Sequence, residues 1–190
     1  MKKYFCIQET WDCDCFVADY TNATDNKKGV VISKYPFEDI AYFHLKKINQ
    51  NQNIRYIIVN LEEYPAFTKG AKNCECVFAS VNEVSKPWVL FLETKYCDAK
   101  NIEGWTLSAI KQMKTTLSRL EEEGLIDRET HNIYFAYSVP GHDEDAPFGA
   151  FSVTQDMVLN MRIKEKITLF RHNTVLIATP QYLFEPKVPI

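Results

Sequence analysis

Apolar and polar positions along the chain fall into short blocks of two periods. Residues 13–20 form a β-rich run, and residues 4–7 before them form a shorter one, so two strands are predicted around a polar turn. Asn22, Asp25, Asn26 and Gly29 then mark a loop over residues 21–29, and residues 30–32 form a further short strand. From Ser33, a helix-capping residue, Phe37, Ile40, Ala41, Leu45 and Ile48 recur at helical spacing, which predicts a helix ended by the polar run 49–53. Residues 55–61, 74–81 and 88–96 are three successive β-rich runs, read as a meander. The strongest helical pattern covers residues 102–123, with Trp105, Ala109, Gln112, Met113, Thr116, Leu117 and Leu120 on one stripe and Gly124 as its stop. Residues 133–139 form an aromatic and β-branched strand closed by Pro140-Gly141. Thr154 caps a smaller helix to about residue 166, and residues 174–179 form a last strand.

This order predicts one α/β (α+β) domain over residues 1–190, with a central mixed β-sheet flanked by helices on each face. Strands within residues 1–32 precede the core, and a helix and strand within 141–190 are appended to it. The 190 residues, 46% of them hydrophobic, suffice for one sizeable core. A net charge of −3 argues against non-specific coating of nucleic acid, so any such contact must be a local patch. No apolar run approaches the roughly 18 residues of a membrane span, and a cytoplasmic protein that does not meet a membrane is expected. The six cysteines include two CxC pairs, Cys13 with Cys15 and Cys74 with Cys76. On strands each pair would share one face and pack as small apolar residues, and zinc sites use longer spacings.

The candidate chemistry sits on the meander. Glu93-Thr94-Lys95 ends an apolar run, and strand alternation puts Glu93 and Lys95 on one face. A carboxylate there holds a divalent cation while the ammonium meets an attacking water and the charge that develops on a phosphate. Glu75 interrupts the apolar pattern of the neighbouring strand, where hairpin pairing brings it beside Glu93. Two carboxylates with water suit Mg²⁺, with Mn²⁺ as a substitute. No GxSxG, GxxxxGK[ST] or GxGxxG motif occurs. His44, His131, His142 and His172 are scattered, and the acidic run 143–145 is expected to be a solvated loop.

The succession helix, strand, acid-bearing strand, ExK strand, long helix, strand over residues 33–140 resembles the PD-(D/E)XK nuclease superfamily, the restriction-endonuclease-like fold. The resemblance implies that Glu75 and Glu93 bind the metal, that Lys95 assists the attacking water, and that Glu38 on the first helix is a further ligand. Gln112 matches a site glutamine found in one branch of that family, although Thr116 stands where the branch has a Tyr. The first acid is Glu75 where the family usually has Asp. The implied function is Mg²⁺-dependent hydrolysis of DNA, with RNA less favoured. Lys69, Lys72, Lys111 and Lys114, with Lys46 and Lys47, are the candidate phosphate-facing rim. The alternative is a non-catalytic module of the same fold that serves a protein partner. A homodimer is compatible with either reading.

Overall fold

The computed structural model describes residues 9–23, 29–64, 67 and 72–186; the expected strand at residues 4–7 lies outside them. Among the described residues, ten strands build two mixed five-stranded sheets. The first sheet contains β1 (Cys15–Asp19), β2 (Val30–Ser33), β3 (Phe43–Lys47), β9 (Thr174–Ile177) and β10 (Leu183–Phe184), in the spatial order β10-β9-β3-β1-β2. The second contains β4 (Tyr56–Asn60), β5 (Cys76–Ser80), β6 (Trp88–Thr94), β7 (Asn132–Ser138) and β8 (Ile167–Phe170), paired in chain order. In the second sheet β4, β5 and β6 form the expected antiparallel meander, and β7 and β8 add in parallel. Parallel neighbours need crossovers. These are α2 (Ile102–Glu122) between β6 and β7, and α3 (Gln155–Ile163) between β7 and β8. Thr154 caps α3 by accepting the Met157 N–H, and a single turn, α1 (Tyr20–Ala23), follows β1.

Every residue of β6 is buried, because the strand is covered on both sides. Its odd positions Val89 and Phe91 pack with Ala109, Met113 and Leu117 of α2. Its even positions Trp88, Leu90 and Leu92 pack with Val17, Phe43, Leu45 and Val175 of the first sheet. This corrects the expectation of one sheet with helices on each face: one face carries helices and the other carries a second sheet. The segments expected as outlying pieces at the two ends of the chain join β3 in that second layer, since β3 pairs with β1 on one side and with β9, in parallel, on the other.

The helix expected from residue 33 is absent. Residues 34–42 are irregular and β3 follows, with Phe43, Leu45 and Lys47 buried in alternation. Pairing on both edges satisfies the backbone of β3, and the period-2 pattern was disguised by a lysine at an inward position. The Lys47 ammonium donates to the carbonyls of Asp12 (2.6 Å) and Gln52 (2.8 Å), which compensates its burial. Cys15 and Cys76 pack between the sheets, whereas Cys74, one residue before Glu75, packs against the helix layer. The pair at 74 and 76 therefore does not share a face.

Candidate functional site

The carboxyl end of β6 brings Glu75, Glu93 and Lys95 together. Glu93 alternates with Thr94 onto the helix side, and the Lys95 N–H donates to Ser138 O (2.9 Å), which fixes the strand end against β7. The Lys95 ammonium pairs with Glu93 Oε1. Glu75 continues the ladder one residue ahead of β5: its N–H donates to Leu92 O (3.1 Å) and its carbonyl accepts the Leu61 N–H (2.9 Å). Its Oε2 accepts the Thr94 N–H (3.1 Å) and the Thr94 hydroxyl (2.5 Å). On α2, Thr116 Oγ1 accepts the Cys74 N–H (3.0 Å), so the helix clips the residue that precedes Glu75. One turn earlier, Gln112 stands near enough to favour the charged Glu93.

Burial governs the electrostatics. Glu75 is held well above the usual carboxylate range, first by burial and then by the Glu93 charge, against the pull of Lys95 and the Thr94 hydrogen bond. Glu93 is raised by burial although Lys95 favours its charged form. Burial also works against the Lys95 ammonium, but Glu93 and Glu75 outweigh it and its pKa rises. Among the described residues, Glu93 Oε2 is buried without a hydrogen-bond partner, a condition native structures keep for few groups.

A fourth group was not expected. Asp19, at the end of β1, is 3% exposed, and its charge raises both Glu75 and Lys95. The Tyr96 phenol, whose pKa the Asp19 charge helps to raise, donates to Ala41 O (2.6 Å). The signal that singled out Glu93, an acid closing a wholly apolar strand, is present in Cys15-Phe16-Val17-Ala18-Asp19 too. What the sequence does not carry is the packing of the two sheets that brings Asp19 to Glu75.

The other candidates disperse. Glu38 is exposed in a bend rather than on a helix, and no contact among the described residues joins it to Glu75 or Glu93; its neighbour Asp39 accepts the Tyr20 hydroxyl (2.7 Å). Lys111 and Lys114 lie on the outward stripe of α2, lining a groove of about 510 Å³ with Leu107, Ser118 and Glu122, and Lys114 pairs with Glu165 (2.6 Å). That stripe faces away from the buried positions that pack over Glu93. Lys72 is exposed three residues before Glu75, Lys46 is exposed on β3 and Lys47 is buried. Lys69 lies outside the described residues.

Among the described residues, one group has three ligand atoms within 4.8 Å of one another: His142, Glu144 and Asp145, in the loop after β7. The structure thus joins a histidine to the acidic run. Asp19, Glu75 and Glu93 do not draw that close. No described helix is long and apolar enough to cross a membrane. Compared with protein-family models, curated proteins and solved structures, the chain has no significant match.

Proposed function

We propose that this protein is a metal-dependent nuclease that hydrolyses DNA phosphodiester bonds at the carboxyl end of β6, within a restriction-endonuclease-like arrangement of β5, β6, α2 and β7. The observation that carries the reading is the Lys95–Glu93 pair beside Glu75, buried at Glu93 and partly buried at Lys95, with Glu93 Oε2 left without a partner. A perturbed cluster of this kind is a mark of functional sites. Hard carboxylate oxygens suit Mg²⁺ or Mn²⁺, which Glu93 and Glu75 would hold with Asp19 nearby; the cation would supply Lewis acidity at a phosphoryl oxygen. Lys95 stays protonated, so its part is to hold a phosphoryl oxygen or the attacking water as a donor and to meet developing negative charge, rather than to remove a proton. Gln112 and Thr94 orient the two carboxylates.

A specific observation favours a second reading. Glu93 is 1% exposed and Glu75 8%, and Lys111 and Lys114 turn away from them, as in a non-catalytic module that binds a protein partner. One experiment separates the two. Linear, supercoiled, single-stranded and branched DNA, with RNA alongside, is incubated with Mg²⁺ or Mn²⁺ and wild type, Lys95→Ala or Glu93→Ala. Metal-dependent cutting of DNA lost in both variants supports the nuclease. No cutting, with no Mn²⁺ binding by calorimetry, overturns it in favour of the partner-binding module.

A further inference from the structure

Beyond β6, the parallel strands β7 and β8 end on the same side of the sheet. Glu93 pairs in register with Tyr137, and Ala136 with Phe170, so Arg171 falls in the row of Glu93 two strands away. Two strand spacings amount to about 10 Å. Leu169 faces the helix layer and Phe170 the first sheet, and alternation returns Arg171 to the helix side. There it lines a cavity of about 430 Å³ with Pro147, Val158, Leu169, His172, Glu185 and Pro186. The backbone holds the arginine in place: its carbonyl accepts the Phe148 N–H (3.0 Å) and its N–H donates to Glu185 Oε1 (3.4 Å).

The guanidinium itself makes no hydrogen bond or ion pair among the described residues, and its Nη1 is buried without a partner. Withdrawing a permanent cation from water without an acceptor is costly. A guanidinium fork matches the oxygens of a carboxylate or a phosphoryl group. His172, 9% exposed, stands in the same wall as a second polar group. Glu185 lies 4.0 Å from the His172 Nε2 and is 39% exposed at its side chain, so it sits at the mouth rather than on the guanidinium. Pro147, Val158, Leu169 and Pro186 give the remaining surface an apolar character. The volume lies within the range of small-molecule sites.

We propose that this cavity binds a small organic oxyanion, a carboxylate or phosphate ester with a short apolar body, whose oxygens pair with Arg171. The site is independent of cation binding at Glu93. The test is calorimetry on the full chain at constant ionic strength, with inorganic phosphate, acetate and butyrate as probes. Saturable binding of phosphate or of the carboxylates is expected, and the tighter head group identifies the oxyanion. If the carboxylates bind, butyrate should exceed acetate by about fourfold for each methylene buried. Arg171→Gln should weaken the better probe at least tenfold, and Glu185→Gln, which removes the competing charge at the mouth, should tighten it severalfold. Absence of saturable binding by all three probes overturns the proposal. So does an Arg171→Gln variant that binds as wild type, or, if that variant does not fold, a Glu185→Gln variant whose affinity is unchanged.

Discussion

Glu75 and Glu93 place two acids in a setting that disfavours their charge, and burying both costs stability. Glu75→Gln keeps an acceptor for the Thr94 N–H and hydroxyl while removing the repulsion from Glu93. It is expected to raise the stability of the metal-free protein by about 1 kcal/mol and, under the nuclease reading proposed above, to abolish cleavage; a urea-denaturation midpoint below wild type would mark Glu75 as structural. Lys95→Ala acts in the opposite direction. It leaves Glu93 buried without its cation, for which a loss of about 3 kcal/mol is expected in the same measurement. A separate residue sets a pH dependence. Burial lowers the His44 pKa, against the pull of Asp14, so the unfolded chain binds its proton first. That contribution is present above about pH 6.5 and is lost as pH falls through the folded value. The urea midpoint of wild type should therefore drop more between pH 7 and pH 5 than that of His44→Gln. At this scale the sequence was informative where chemistry is local. Glu93-Thr94-Lys95 was legible because it closes its own apolar run, whereas Asp19 needed a contact across sheets, and Lys111 and Lys114 were linked to the site by proximity along the chain although the helix turns them outward.

Elements with their own boundary signals were legible, and elements defined by distant partners were not. The α2 stripe, the meander and the Thr154 cap follow from local periodicity and capping, although Trp105, expected on that stripe, is 46% exposed. By contrast β3 carries the pattern of a helix, because Phe37, Ile40, Ala41 and Leu45 sit at helical spacing and an inward Lys47 breaks the alternation that marks a strand. Lys47→Ala leaves the Asp12 and Gln52 carbonyls without their donor, and a loss of about 2 kcal/mol in chemical denaturation is expected. β8 and β10 were missed because four- and two-residue strands carry too little pattern to register. The loop between β7 and α3 meets α2 at Gly149, whose φ is +70° and where a side-chain Cβ would lie 2.5 Å from Thr106 Cγ2. Both the backbone and the contact require glycine there.

At the scale of the molecule, the two sheets share one core, with Tyr56, Phe78 and Trp88 meeting Phe43 and Leu45 between them. The Trp88 indole N–H donates to Thr179 O (3.1 Å), which ties the second sheet to the chain just beyond β9. Unfolding followed by tryptophan fluorescence and by far-UV circular dichroism should therefore give coincident transitions; separate midpoints would show two independent layers. The resemblance that singled out residues 33–140 identified the strands bearing the acids, but could not show what covers their far face. Of that cover, β3 lies within the segment, while its neighbours come from outside it: β1 and β2 before, β9 and β10 after. A shortened chain limited to those residues would retain Glu75, Glu93, Lys95, Gln112 and β3 yet lose Asp19, and it would leave β3 without either neighbouring strand and Tyr134 without Phe170. Such a fragment would associate through that depleted face, so any engineering of this scaffold by domain excision must carry both flanking arms with it.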